Sequence, residues 1–140
     1  ETRMKVAATP GICDSFFWME GTVKNGNTSG YGPHEWDVEF LTNESWINSA
    51  NSGKVHYTLH YQDGSWDAFI LDLPFNPSKD FHSYGFLWKP GTITFTVDGK
   101  ATHTFNSAKI TTTAKGFIMM NSWTGNPNWG GGPPTAAGVR

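Results

Sequence analysis

The sequence predicts an all-β fold on three observations. No stretch of twelve residues carries an apolar stripe at i, i+3 and i+4. Several stretches of four to eight residues instead alternate, or are rich in Val, Ile, Thr and aromatics. Sixteen Gly and 8 Pro cut the chain into short segments, and 7 Trp, 4 Tyr and 10 Phe supply the bulky side chains that strands favour.

The first strand is expected over 2–7, where Met4 and Val6 alternate with Arg3 and Lys5, and the second over 14–20. In that second strand alternation sets Phe17 and Met19 on one face and Phe16 and Trp18 on the other, so one aromatic is left to meet a ligand. Residues 25–32, rich in Gly, Asn and Ser, and 43–53 read as exposed loops on either side of a third strand at 35–41. Strands follow at 54–61, 68–71 and 82–89, then a turn at Lys89-Pro90-Gly91. Asp98-Gly99, between strands at 92–97 and 100–105, is a two-residue type I′ hairpin signal. A last strand covers 117–123, and the Gly/Pro-rich stretch 126–137 reads as irregular.

The 140 residues, 37% of them hydrophobic, suffice for one core and one domain. Only 16% of residues are charged and the net charge is −2, so no basic field exists to hold nucleic acid or anionic lipid. No segment approaches the ~18 apolar residues of a membrane span. Cys13 is the single cysteine, which rules out an internal disulfide. The chain opens at Glu1 without a signal peptide, so a processed or partial chain is expected. Two sequons, Asn27-Thr28-Ser29 and Asn43-Glu44-Ser45, suit surface loops of a secreted protein.

The chemistry-bearing segment is Glu35-Trp36-Asp37-Val38-Glu39-Phe40-Leu41. Alternation places three carboxylates on one strand face and Trp36, Val38 and Phe40 on the other. A solvated outer face is the plain reading of such a pattern, but acids are poor strand formers and like charges about 6–7 Å apart repel. Glycoside hydrolysis gives them a purpose, because one carboxyl must protonate the leaving oxygen while another attacks the anomeric carbon. The Cα atoms of Glu35 and Glu39 lie about 13 Å apart on a straight strand, so a curved sheet is required to bring the carboxyls to the roughly 5–5.5 Å of a retaining pair. Spacing alone leaves open which Glu does which. A hard cation held by these acids with His34 or His60 is the competing reading; no Asp/Asn/Gly calcium loop accompanies them, and neither metal nor cofactor is expected.

This segment resembles the E-[ILV]-D-[IVAF]-E signature of family 16 glycoside hydrolases, with Trp36 standing where an aliphatic is usual. The unbulged spacing is similar to the lichenase and xyloglucan transglycosylase branch. Further matches follow in order: Glu1-Thr2-Arg3-Met4-Lys5, Phe81-His82-Ser83-Tyr84 with Trp88-Lys89-Pro90, Val97-Asp98-Gly99, and Ile118-Met119-Met120-Asn121-Ser122-Trp123.

The resemblance implies a curved antiparallel jelly-roll sandwich and an endo-acting retaining β-glucanase, acting on β-1,3 or mixed β-1,3/1,4-glucan. It implies Glu35 as nucleophile, Asp37 as its supporting acid, Glu39 as general acid/base, and Asn121 and Trp123 as cleft residues. Phe17 is expected to stack on sugar, His60 to face the cleft and His82 to be structural. Family members usually carry further strands before and after the matched region, so the fold is expected to need them from a longer chain, a second chain or a different wiring. A xyloglucan-type transglycosylase and a non-catalytic glucan-binding jelly roll are the rival readings, and the linkage stays open.

Overall fold

The computed structural model describes residues 1–24, 27–124 and 129, the side chains of 23–29 apart. Among the described residues the strands are β1 (Thr2–Met4), β2 (Cys13–Lys24), β3 (Asn27–Leu41), β4 (Gly53–His60), β5 (Trp66–Leu73), β6 (His82–Lys89), β7 (Thr92–Val97), β8 (Lys100–Asn106) and β9 (Gly116–Trp123). They form two antiparallel sheets, one ordered β1-β6-β7-β8 and the other β5-β4-β3-β2-β9. The all-β jelly-roll sandwich expected from the sequence is what forms.

The core lies between the sheets. Phe16, Trp18, Trp36, Val38, Phe40, Val55, Tyr57 and Leu59 meet Tyr84, Ile93, Phe95 and Val97. Alternation accounts for this selection, since each contributing strand sends every second side chain inward. Rings interlock across the layers: Tyr57 stacks on Phe95 with centroids 4.2 Å apart, Phe40 meets Tyr84 edge-on at 4.8 Å, and Phe16 stacks on Phe86 at 5.5 Å. Asp98 (φ 48°) and Gly99 (φ 75°) both occupy the left-handed region, as a type I′ turn requires. At Gly116 a Cβ would fall 2.3 Å from the Met19 carbonyl oxygen, so only glycine lets β9 begin so close to β2.

Three expectations are corrected. Residues 27–32 belong to β3, and β2 runs on to Lys24, because the chain forms a bulged hairpin (Gly21 opposite Tyr31, Val23 opposite Thr28) instead of an open loop. The 43–53 segment is not wholly exposed: a 3-10 turn, Ser45–Asn48, drives Trp46 and Ile47 into the core. β1 ends at Met4, since the Val6 amide donates to the Pro77 carbonyl at 3.0 Å. The expected irregular stretch 126–137 lies outside the described residues apart from Trp129.

β9 departs from the sandwich rule. Ile118 and Met120 share the inward face with their β2 partners Trp18 and Phe16, yet they are 63% and 56% exposed.

Candidate active site

The face of the five-stranded sheet turned away from the core is built from short rows. Ser15, Glu39 and His56 form one row, Phe17, Asp37 and Thr58 the next, and Met19, Glu35 and His60 the third. β5 continues them with Ile70, Ala68 and Trp66, and β9 supplies Asn121 opposite Ser15. A cleft of about 670 Å³ opens over these rows. Glu35, Asp37, Glu39, Phe17, His60, Asn121 and Trp123 all line it, so every site residue expected from the sequence comes to one place. Phe17 is only 8% exposed and acts as floor more than as platform.

The carboxyls are partly dry. Burial, helped by the neighbouring Asp37 charge, pushes the Glu35 carboxyl up to about 7. Burial likewise pushes Asp37 up to about 6, opposed first by its hydrogen bond with His60, whose Nε2 lies 3.3 Å from Asp37 Oδ2. Glu35 and Asp37 are close enough for each to shift the other's ionisation. Asp37 in turn raises the His60 imidazole above its ordinary value. Burial raises Glu39 too, against two donors: Trp129 Nε1 donates to Glu39 Oε1 at 3.1 Å, and the Cys13 thiol donates to the same oxygen at 3.5 Å. Burial beside that carboxylate drives the Cys13 thiol far upward, so it stays protonated and serves as a donor.

Outside these acids the cleft is braced by neutral contacts and one His/Glu pair. Ser15 Oγ donates to Asn121 Oδ1 at 2.6 Å, tying β9 to β2 at the cleft wall. His56 Nε2 lies 3.0 Å from Glu44 Oε1, Trp46 Nε1 donates to Glu44 Oε2 at 3.0 Å, and the His56 ring meets Trp129 edge-on at 5.4 Å. Trp129 is thereby steadied where it reaches Glu39.

His34, weighed above as a cation ligand, is not in the cleft. It sits on the Trp36 side of β3, buried and paired through Nδ1 with Glu20. Among the described residues no set of three His, Cys, Asp or Glu side chains is arranged to hold a metal ion. His82 stacks on Phe75 with centroids 3.6 Å apart and pairs with Asp98 at 2.8 Å.

Sequence reasoning missed Cys13, His56, Trp66, Ile70 and Trp129. Period-2 alternation from His60 finds His56, and one step before the expected second strand finds Cys13. Trp66 and Ile70 needed the pairing register of β4 with β5, and Trp129 had no local signal.

Comparison with known proteins places the whole arrangement. The family profile described as "Glycosyl hydrolases family 16" matches residues 1–138. A "Beta-glucanase" of Acetivibrio thermocellus is 34% identical over 125 residues, which are 89% of this chain and 33% of that protein. The solved Bacillus licheniformis beta-glucanase superposes with a TM-score of 0.69 at 32% identity, over 93% of this chain and 55% of its own. A solved prokaryotic beta-1,3-1,4-glucanase (lichenase) derived from a mouse hindgut metagenome gives 0.68 at 33% identity, again over 93% and 55%. The chain thus spans a third of the first relative and little more than half of the two structures.

Proposed function

This chain belongs to glycosyl hydrolase family 16, and we propose that it carries the catalytic cleft of an endo-acting β-glucanase working by two-step retaining chemistry. The observation that carries the proposal is the placement of Glu35, Asp37 and Glu39 on one face of β3, all lining one cleft. The beta-glucanase relatives support a glucan polysaccharide as substrate, and the lichenase neighbour favours mixed β-1,3/1,4 linkages.

In the first step a Glu35 carboxylate oxygen attacks the anomeric carbon while Glu39 gives its proton to the departing glycosidic oxygen. One C–O bond breaks and an ester to Glu35 forms. Glu39, now ionised, takes a proton from water, whose oxygen attacks the same carbon and frees Glu35. Burial suits Glu39 to the first role by raising its carboxyl above the ordinary value. Glu35 must be ionised to attack, and the His60 charge, which lowers both Glu35 and Asp37, favours that state.

A polymeric substrate supports a secreted protein. The bare inner face of β9 supports completion of the sandwich by a further segment, from a longer chain or from a second one.

Reducing-end release from barley mixed-linkage glucan, laminarin and xyloglucan, by the protein and by Glu35→Gln, tests the reading. Release that the substitution abolishes upholds it and names the linkage. Products elongated by an added acceptor oligosaccharide point to transglycosylation, and binding without release to a non-catalytic module.

A further inference from the structure

Trp66 opens β5 and is 63% exposed, although it lines the cleft. It stands opposite His60, which stands opposite Glu35, so the indole lies in the same row as Glu35, two strands away. At about 4.8 Å per strand its Cα is about 10 Å from that of Glu35 across the sheet. Ala68 and the half-exposed Ile70 follow on the same face of β5, and both line the cleft. A small side chain between two large apolar ones leaves a shallow trough with the indole at one end.

The hairpin behind Trp66 is held from several directions. The Tyr61 amide donates to the Ser65 carbonyl and the Gly64 amide to the Tyr61 carbonyl, both at 3.0 Å, with Gly64 at φ 78°. Tyr61 Oη donates to Asp67 Oδ2 at 2.7 Å. Lys109, from a distant part of the chain, pairs with Asp63 at 3.0 Å, donates to Ser65 Oγ at 2.7 Å and sits over the Tyr61 ring. The hairpin is therefore fixed on both sides of an indole whose face is left to water. Holding a large apolar surface rigid and bare is unfavourable in a free protein and favourable when a flat ligand comes, because the ordering entropy is already spent.

We propose that Trp66, with Ala68 and Ile70, forms a stacking platform for a β-linked glucosyl ring at the outer end of the cleft, remote from the bond that Glu35 and Glu39 act on. The inference rests on the glucanase reading for its occupant. A pyranose offers an apolar face of axial C–H groups to an indole while its hydroxyls stay in water, which is what an exposed ring at a cleft rim can use. The platform is continuous with the carboxylate row through His60, so one extended chain spans both.

The test measures kcat/KM for the protein, Trp66→Ala and Trp66→Phe on β-glucan oligosaccharides of increasing length and on a short aryl β-glycoside. Trp66→Ala is expected to lose about ten-fold on the long oligosaccharides, mainly through KM, with the aryl glycoside unchanged and Trp66→Phe recovering most of the loss. Equal effects on long and short substrates, or none on either, overturn the platform. A protein that cleaves nothing overturns the hydrolase reading by itself. In that case retardation in a gel containing mixed-linkage glucan, lost in Trp66→Ala, still upholds the platform, and retardation equal or absent in both overturns it. Trp66 is exposed, so thermal unfolding of both variants is expected to match the parent.

Discussion

The Cys13 thiol lies 3.5 Å from Oε1 of Glu39, on the oxygen that also accepts the Trp129 indole N–H at 3.1 Å. Two donors on one oxygen leave the other to carry a proton when Glu39 is protonated, so these contacts decide which oxygen holds it and how readily the carboxyl ionises.

Removing the thiol donor therefore raises the Glu39 carboxyl further. In Cys13→Ala the alkaline limb of the kcat/KM profile, where the acid must stay protonated, is expected to move up by about half a pH unit. Cys13→Ser, a stronger donor, is expected to move it down. Profiles that superimpose with the parent's would show that the thiol only fills space.

His60 works on the other carboxyls. Its charge lowers both Glu35 and Asp37, against the burial that raises them. In His60→Gln that help is gone, both carboxyls hold protons to higher pH, and the acid limb of kcat/KM is expected to shift upward by about half a pH unit or more. A shift toward lower pH would contradict the arrangement.

The cleft carboxyls weaken the fold that holds them. Glu35 at about 7 and Asp37 at about 6 bind protons more tightly folded than at their ordinary values of 4.5 and 3.8. Their stabilising contribution is complete below those ordinary values and falls away as pH rises through the folded ones. Glu35→Gln is thus expected to be more stable than the parent at pH 8, by about 1 kcal/mol once solvent screening in the open cleft is discounted, and no more stable at pH 4. Thermal melts at the two pH values check this.

Tyr84 offers a test away from the cleft. Its hydroxyl is buried with no hydrogen-bond partner among the described residues, and burial drives the phenol well above its ordinary value. Tyr84→Phe keeps the ring contacts with Phe40 and removes an unsatisfied group, so denaturant unfolding is expected to show no loss and up to about 1 kcal/mol of gain.

Much of this was legible in the sequence because a strand's period of two leaves little freedom. Once Trp36, Val38 and Phe40 go inward, Glu35, Asp37 and Glu39 have one place to go. The Asp98-Gly99 turn is equally local, since few residue pairs tolerate two left-handed conformations in succession. The hairpin at 27–32 was misread because Gly, Asn and Ser in a strand resemble a loop, and bulges rather than side chains carry its register. Trp66 and Trp129 were not legible, for different reasons. Trp66 belongs to the site through the pairing of β5 with β4, and Trp129 through the fold of the whole chain.

Among the described residues, the order β5-β4-β3-β2-β9 puts the carboxylate strand third of five, with a hydrogen-bonded neighbour on each side, while Trp66 and Trp123 stand on the outermost strands. Inheritance can act on these positions separately. A substitution on β3 disturbs two ladders and the three cleft carboxyls, whereas one on β5 or β9 disturbs a single described ladder and alters only the cleft's margin. The margins of the cleft can therefore change while its centre stays as it is.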